Sequence, residues 1–288
     1  MSSSSNKKKY IEPLEPRNRN LWLFILITFS FSWILWLPSL LASNGLIQDT
    51  PFFRTLFILG SYSPTITGFI LTGIYDGLDG VKLLWKRCWH HYNRLYLFIA
   101  IFLIPAFCLA SYFLVYFTTG VEYQGFDLEL ELKMGIATFF TFLFFAGGLQ
   151  EEIGWRGYAL NHLQSMYDAL TSSIILGGIW SLWHYPLFYI NGTPYANESF
   201  FSFMFSIIVI SVLFTWLYNN TNGSILVAMI FHSTVNISYL KFLFITTVLG
   251  RIVFSVFLNM TVVFVIVIFG SKNLVRGELN VIFPILAN

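Results

Sequence analysis

Apolar residues form long runs that recur along almost the whole chain. From Leu21 onward the runs are about 20 residues long, which is the length a helix needs to cross the hydrocarbon core of a bilayer. The pattern therefore predicts eight transmembrane helices. They are expected near residues 21–41, 52–74, 95–116, 135–163, 170–190, 200–218, 224–243 and 248–269. The boundary between the last two is the least defined, because Lys241 and Arg251 interrupt an otherwise continuous apolar run.

The composition also indicates that lipid surrounds much of the protein surface. The 288 residues are 56% hydrophobic and 10% charged, whereas soluble domains carry about a quarter charged residues. A net charge of +2 provides no overall field for nucleic acid, so no nucleic-acid partner is expected. Cys88 and Cys108 lack CxxC or zinc-finger spacing, so neither a disulfide framework nor a structural zinc is implied.

The distribution of basic residues predicts the orientation. Lys and Arg are frequent in the N-terminal tail, in the loop after the second helix and in the C-terminal tail, whereas the loop after the third helix is acidic. Positive residues favour the cytoplasmic side, so both termini are expected in the cytoplasm, with no cleaved signal peptide. We expect a disordered basic arm at 1–20, a transmembrane bundle at 21–270 and a cytoplasmic tail at 271–288. The composition suggests a bacterial plasma membrane.

Charged residues inside the fourth predicted helix are the first candidates for chemistry. Such residues are costly in a membrane and usually face the bundle interior. Glu152 and Arg156 are four apart and share a helix face, whereas Glu151 points about 100° away and lacks this local partner. If the helix ended near Leu149, these would be ordinary surface charges. If it continues to about residue 163, Glu151 lies about 18 Å from the cytoplasmic end.

Two other predicted helices place polar groups at a similar depth. His184 lies about 21 Å along the fifth helix, and His232 and Asn236 lie about 12 and 18 Å along the seventh. A single membrane histidine is often only a hydrogen-bonding partner between helices. The coincidence in depth of a carboxylate pair, an arginine and two histidines instead favours one buried site. The remaining histidines, His90, His91 and His162, are expected at the surface.

Three motifs resemble those of the CAAX protease and bacteriocin-processing family of intramembrane peptidases, also called the CPBP or Abi family. That family carries EExxxR, an aromatic-xxx-His and HxxxN on separate helices. The corresponding residues here are Glu151-Glu152-Ile-Gly-Trp-Arg156, Trp180-Ser-Leu-Trp-His184 and His232-Ser-Thr-Val-Asn236. The similarity covers residues 135–240. Trp180 stands where the family commonly has Phe, a difference expected to change packing and not chemistry.

The resemblance implies an all-α polytopic membrane protein of about eight helices, forming one bundle with a conical interior cavity. It also implies hydrolysis of a peptide bond within or beside the membrane. Amide hydrolysis needs an activated water and a stabilised oxyanion. Glu151 is then expected to act as general base, with His184 orienting the water and protonating the leaving amine. His232 and Asn236 are expected to donate hydrogen bonds to the oxyanion.

Glu152 and Arg156 are then expected to support the site, with binding of a substrate carboxylate by Arg156 as a less favoured role. The expected partner is a membrane-associated peptide or protein. No sequence feature selects among prenylated C-termini, bacteriocin leaders and other substrates, or fixes the oligomeric state.

Three alternatives remain open. No cofactor is expected, yet Glu151, His184 and His232 could supply an oxygen and two nitrogens to zinc; the metal-free mechanism is favoured because Asn236 is a poor zinc ligand and a natural oxyanion donor. A proton-coupled transporter could also use buried Glu and His, although no inverted repeat is present. A non-catalytic scaffold or immunity protein is the third.

Overall fold

In a computed structural model, residues 18–89, 93–120, 128–241 and 247–276 are described, and every regular element among them is helical. The α-helices are α1 (Asn18–Ser43), α2 (Pro51–Ser61), α3 (Ser63–Arg87), α4 (Arg94–Thr119), α5 (Leu128–Phe145), α6 (Gly148–Gly154), α7 (Leu160–Gln164), α8 (Ala169–Trp183), α9 (Phe200–Asn219), α10 (Ile225–Lys241) and α11 (Val248–Phe269). A π-helical turn, Trp155–Ala159, joins α6 to α7, and a 3₁₀ turn, Tyr185–Tyr189, follows α8.

The chain passes back and forth between two ends of one bundle. At one end, the Tyr96 hydroxyl donates to Asn220 at 2.8 Å, and the Ala169 amide donates to the Lys272 carbonyl at 2.8 Å. At the other end, the Asn191 amide donates to the Ser43 hydroxyl at 2.9 Å. The loops between helices therefore gather at opposite ends, as expected of a polytopic membrane protein.

Length and composition identify clear membrane spans within the described residues. Four single helices, α1, α4, α9 and α11, are long and apolar enough to cross a membrane, and the bent pair of α2 and α3 makes up to five. The protein is thus an all-α integral membrane protein. The arrangement is compatible with eight crossings, but that number and the conical cavity remain predictions.

The second predicted helix, 52–74, differs from the structure at both its middle and its end. It is broken at Tyr62 into α2 and α3, which meet at an angle of 48°, and α3 continues to Arg87. The break coincides with Ser63-Pro64, because proline has no amide hydrogen to donate within a helix. The Tyr62 hydroxyl donates to the Phe144 carbonyl at 2.7 Å and so anchors the bend against α5.

The fourth predicted helix, 135–163, is also broken, but its second half has the predicted extent. After α5 the chain turns at Ala146 and Gly147, and α6, the π turn and α7 then run on to Gln164. The helix therefore continues past Arg156, which was the condition for a buried site. Gly154 lies so close to the Pro64 backbone that a β-carbon there would overlap it, and this contact packs α6 against α3.

The predicted domain boundaries remain predictions. Residues 1–17 of the expected arm and 277–288 of the expected tail lie outside the described residues, as do His90 and His91. The surface assignment of His162 is wrong. This residue is 5% exposed, its Nδ1 lies 2.9 Å from the Tyr158 carbonyl, and its ring centre lies 4.3 Å from that of Tyr158.

Candidate active site

The turn between α5 and α6 brings backbone directly against two predicted site residues. Gly147 has φ +126°, a conformation that other residues rarely adopt. A β-carbon at this position would lie 2.6 Å from His232 Nε2 and 2.8 Å from Asn236 Nδ2. The Asn236 amide donates to the Ala146 carbonyl at 3.0 Å, and the Gly147 amide donates to Gln150 at 3.0 Å. The glycine is therefore required for both its conformation and its space.

Glu152 links α6 to α10 through one carboxylate oxygen. Its Oε1 accepts a hydrogen bond from Arg156 at 2.8 Å and one from His232 Nδ1 at 2.6 Å. Glu152 and Arg156 are fully buried and His232 is 4% exposed. The pair predicted from the spacing of four residues is present, and it extends to a histidine 80 residues away in the sequence.

Aromatic rings enclose the Arg156 guanidinium. Its central carbon lies 3.8 Å from the centre of the Phe214 ring and 4.4 Å from that of Trp180. Nε and Nη2 of Arg156 have no hydrogen-bond partner among the described residues. Ring faces are electron-rich and attract a desolvated cation, so the rings and Glu152 together compensate the buried charge. The packing leaves no visible access for a substrate carboxylate, because Arg156 is 0% exposed.

Glu151 faces α8 instead of α10. Its Oε2 accepts a hydrogen bond from Trp180 Nε1 at 2.6 Å, and the residue is 6% exposed. The two adjacent glutamates therefore have different surroundings, since Glu152 is paired with a cation and Glu151 is held by a neutral donor. The expected division between a supporting and a reactive carboxylate stays a prediction, and this difference is compatible with it.

His184 is the residue that ends α8, directly before the 3₁₀ turn containing Pro186. The predicted helix 170–190 therefore extends past the end of α8 and includes the 3₁₀ turn. His184 Nδ1 donates to the Trp180 carbonyl at 2.9 Å, because a carbonyl can only accept. Its ring lies 5.4 Å from that of Tyr195 and 5.3 Å from that of Phe203. Since Nδ1 carries the hydrogen of this bond, a neutral His184 ring keeps its lone pair on Nε2.

The hydrogen bonds also restrict what His232 can do. Since Nδ1–H of His232 donates to Glu152, a neutral ring carries a lone pair on Nε2. Nε2 can donate to an oxyanion only when the ring is protonated on both nitrogens. Glu152 accepts from Nδ1 in either form and would stabilise the imidazolium. The Nε2 edge lies next to Gly147, at the break between α5 and α6.

All six predicted site residues thus come together on α6, the adjoining π turn, the end of α8 and α10. The π turn carries Arg156, and such turns within α-helices often lie at functional sites. Sequence reasoning missed the hydrogen bond from Trp180. The expectation that Trp180 changes packing and not chemistry stays a prediction, although Phe has no group that could donate to Glu151 as Trp180 does. The signal was present in the indole N–H itself, which usually finds a partner when buried.

The zinc alternative receives no geometric support from the side chains. Within the described ranges, no group of three or more His, Cys, Asp or Glu residues is arranged to hold a metal ion. Glu151 already accepts from Trp180, and His232 already donates to Glu152. Chelation of metal ions from the purified protein tests metal dependence directly.

Apolar helices around a buried carboxylate–histidine site define a polytopic membrane protein with the residues of a hydrolase. Residues 133–238 match the family model described as "Type II CAAX prenyl endopeptidase Rce1-like". The chain is also 29% identical over 230 residues to "CAAX prenyl protease 2" of Methanococcus maripaludis, covering 75% of this chain and 82% of the relative. Both matches support the resemblance to CPBP-type peptidases and, with it, a CAAX-type protease activity.

Proposed function

We propose that this protein hydrolyses a peptide bond near the C-terminus of a prenylated, membrane-associated protein. The matching family and the archaeal relative both carry CAAX prenyl peptidase names, and a CAAX sequence is one whose cysteine is prenylated. The observation that carries the proposal is the pair of differently held glutamates. Glu151 is buried without a cationic hydrogen-bond partner, and the Trp180 that donates to it also accepts, through its carbonyl, from His184 Nδ1.

In the proposed reaction Glu151 takes a proton from a water molecule, and the resulting hydroxide attacks the substrate carbonyl carbon. His184 Nε2 accepts a hydrogen bond from the same water and so orients it. When the carbon–nitrogen bond breaks, the proton held by Glu151 passes to the leaving amine, directly or through His184. The remaining proton of the attacking water also passes to the amine, so the products are a shortened carboxylate and an ammonium group, and the protein returns to its starting protonation state.

The oxyanion would be stabilised from the α10 side. Asn236 uses one amide hydrogen for the Ala146 carbonyl, and an amide group carries a second. Protonated His232 would supply another donor from Nε2, with its charge balanced by Glu152. Arg156 would then fix Glu152, and through it the orientation of the His232 ring. Its complete burial makes this supporting role fit better than binding of a substrate carboxylate.

Glu151→Gln tests this proposal. The glutamine oxygen can still accept from Trp180, so the fold is preserved, whereas the base is lost. With a fluorogenic prenylated CAAX peptide, we expect kcat to fall about 10²–10⁴-fold. Glu198→Gln is the matched control, because Glu198 is an exposed glutamate that forms an ion pair with Arg251. Cleavage by Glu151→Gln at the wild-type rate would rule out Glu151 as the base.

A comparison of membrane proteomes from cells carrying wild type or Glu151→Gln would identify natural substrates as accumulating precursors. A transporter using the same residues would instead show a solute gradient that depends on Glu151, with no peptide cleaved by wild type.

We further propose that the bundle end with Lys82, Arg94 and Lys272 faces the cytoplasm of a bacterial cell. Cysteine labelling from either side of the membrane tests this orientation.

A further inference from the structure

We infer that Trp180 is a positioning residue for Glu151, a role that the aromatic residue common in this family cannot fill. The inference rests on the proposed function, because it concerns the orientation of the proposed general base. It begins from the hydrogen bond of 2.6 Å between Trp180 Nε1 and Glu151 Oε2, which joins α8 to α6 across the site.

Burial makes this hydrogen bond specific. Trp180 is 3% exposed and Glu151 is 6% exposed, so water does not readily replace either partner. An indole has one donor and no acceptor, and its direction is fixed by a ring that packs against neighbours. The bond therefore fixes one oxygen of Glu151 and leaves the other, Oε1, to contact the reacting water. Without the donor, the carboxylate could rotate about its last side-chain torsion, which is a soft one.

Trp180 also contacts the rest of the site. Its ring lies 4.4 Å from the Arg156 guanidinium carbon, and its ring centre lies 5.4 Å from that of His232. Its carbonyl accepts from His184 Nδ1 at 2.9 Å. One residue on α8 thus sets the positions of groups from three helices. Phenylalanine would keep an aromatic ring and the carbonyl, although its ring is smaller, so the N–H to Glu151 is the polar interaction specific to tryptophan.

The fold does not by itself demand this donor. Trp155 and Trp216 are buried with indole nitrogens that lack a hydrogen-bond partner within the described part of the chain. Trp36 donates instead to the Phe57 backbone carbonyl at 3.0 Å. A buried indole is therefore tolerated here in several settings, and Trp180 is distinguished by having the proposed base as its acceptor.

The test is Trp180→Phe, assayed with the fluorogenic prenylated peptide in detergent or vesicles. Since hydrogen bonds to charged groups are stronger than neutral ones, we expect kcat to fall about 10- to 100-fold with KM nearly unchanged. The matched control is Trp36→Phe, which removes a buried indole donor away from the site and should leave kcat within twofold. A kcat for Trp180→Phe within twofold of wild type would overturn the inference.

A double-mutant cycle separates positioning from packing. Glu151→Asp withdraws the carboxylate by one methylene, so Trp180 should no longer reach it well. Trp180→Phe should then cost clearly less in the Glu151→Asp background than in wild type, because coupled residues are non-additive. Equal losses in both backgrounds would contradict positioning. Failure of wild type to cleave any prenylated peptide would instead count against the proposed function.

Discussion

The buried pair of Arg156 and Glu152 allows a quantitative prediction of stability. In Arg156→Met the guanidinium is replaced by an apolar side chain of similar length. Glu152 then keeps a hydrogen bond only from His232, while its Oε2 already lacks a partner among the described residues. The aromatic rings of Trp180 and Phe214 lose the cation that they enclose. The variant therefore leaves a carboxylate buried without its main compensating charge.

The expected magnitude follows from this burial. Breaking a buried ion pair by removing one partner typically costs about 3–5 kcal/mol. Loss of the contact with the rings acts in the same direction, although methionine recovers part of it by packing against them. We therefore expect Arg156→Met to lower the free energy of unfolding by about 3–5 kcal/mol. Arg156→Lys should be intermediate, because it keeps the charge but not the planar group.

The assay is equilibrium unfolding in mixed detergent micelles, followed by circular dichroism. The double variant Glu152→Gln/Arg156→Met should be more stable than Arg156→Met alone, since it removes the uncompensated carboxylate. Arg54→Met is the matched control, because Arg54 forms an exposed pair with Asp49 at 3.5 Å. The reasoning would be refuted if Arg156→Met unfolded like the control, or if the double variant were less stable than the single one.

Three further outcomes are expected. Gly147→Ala should abolish cleavage and destabilise the protein, because its β-carbon would lie 2.6 Å from His232 Nε2; activity near wild type would show that the turn can relax. Asn236→Ala should lower kcat about 10²–10³-fold, the usual effect of removing one oxyanion donor, and an unchanged kcat would remove Asn236 from that role. Exhaustive chelation should leave cleavage by the purified protein unchanged; a loss restored specifically by zinc would contradict the metal-free mechanism.

The site was predictable from the sequence because helical geometry converts spacing into position. Glu152 and Arg156 meet because they are four residues apart on one helix. The convergence of His184 and His232 with the glutamates followed from their similar depth along separate predicted helices. In each case the relevant distance is set by a rise of about 1.5 Å per residue, and not by details of packing.

The contacts between helices were not predictable in the same way. The break at Gly147 lies inside an apolar run. Gly147 adopts a positive φ and leaves space for His232, a residue distant in sequence, so the neighbouring residues alone do not reveal the break. Burial of His162 depends on neighbouring helices that cover it. The acceptor chosen by Trp180 depends on the rotation of α8 relative to α6. Such features follow from tertiary packing, which hydrophobic periodicity does not specify.

The segment after α11 has a consequence for biosynthesis. The amides of Ala169 and Leu170, at the start of α8, donate to the carbonyls of Lys272 and Ser271. Helix α8 carries Trp180 and His184, so its first turn receives these partners only after residue 272 has left the ribosome. A chain halted before that point would insert its earlier helices with α8 incompletely anchored. The candidate site is therefore fully supported only after the segment that follows α11 has been synthesised.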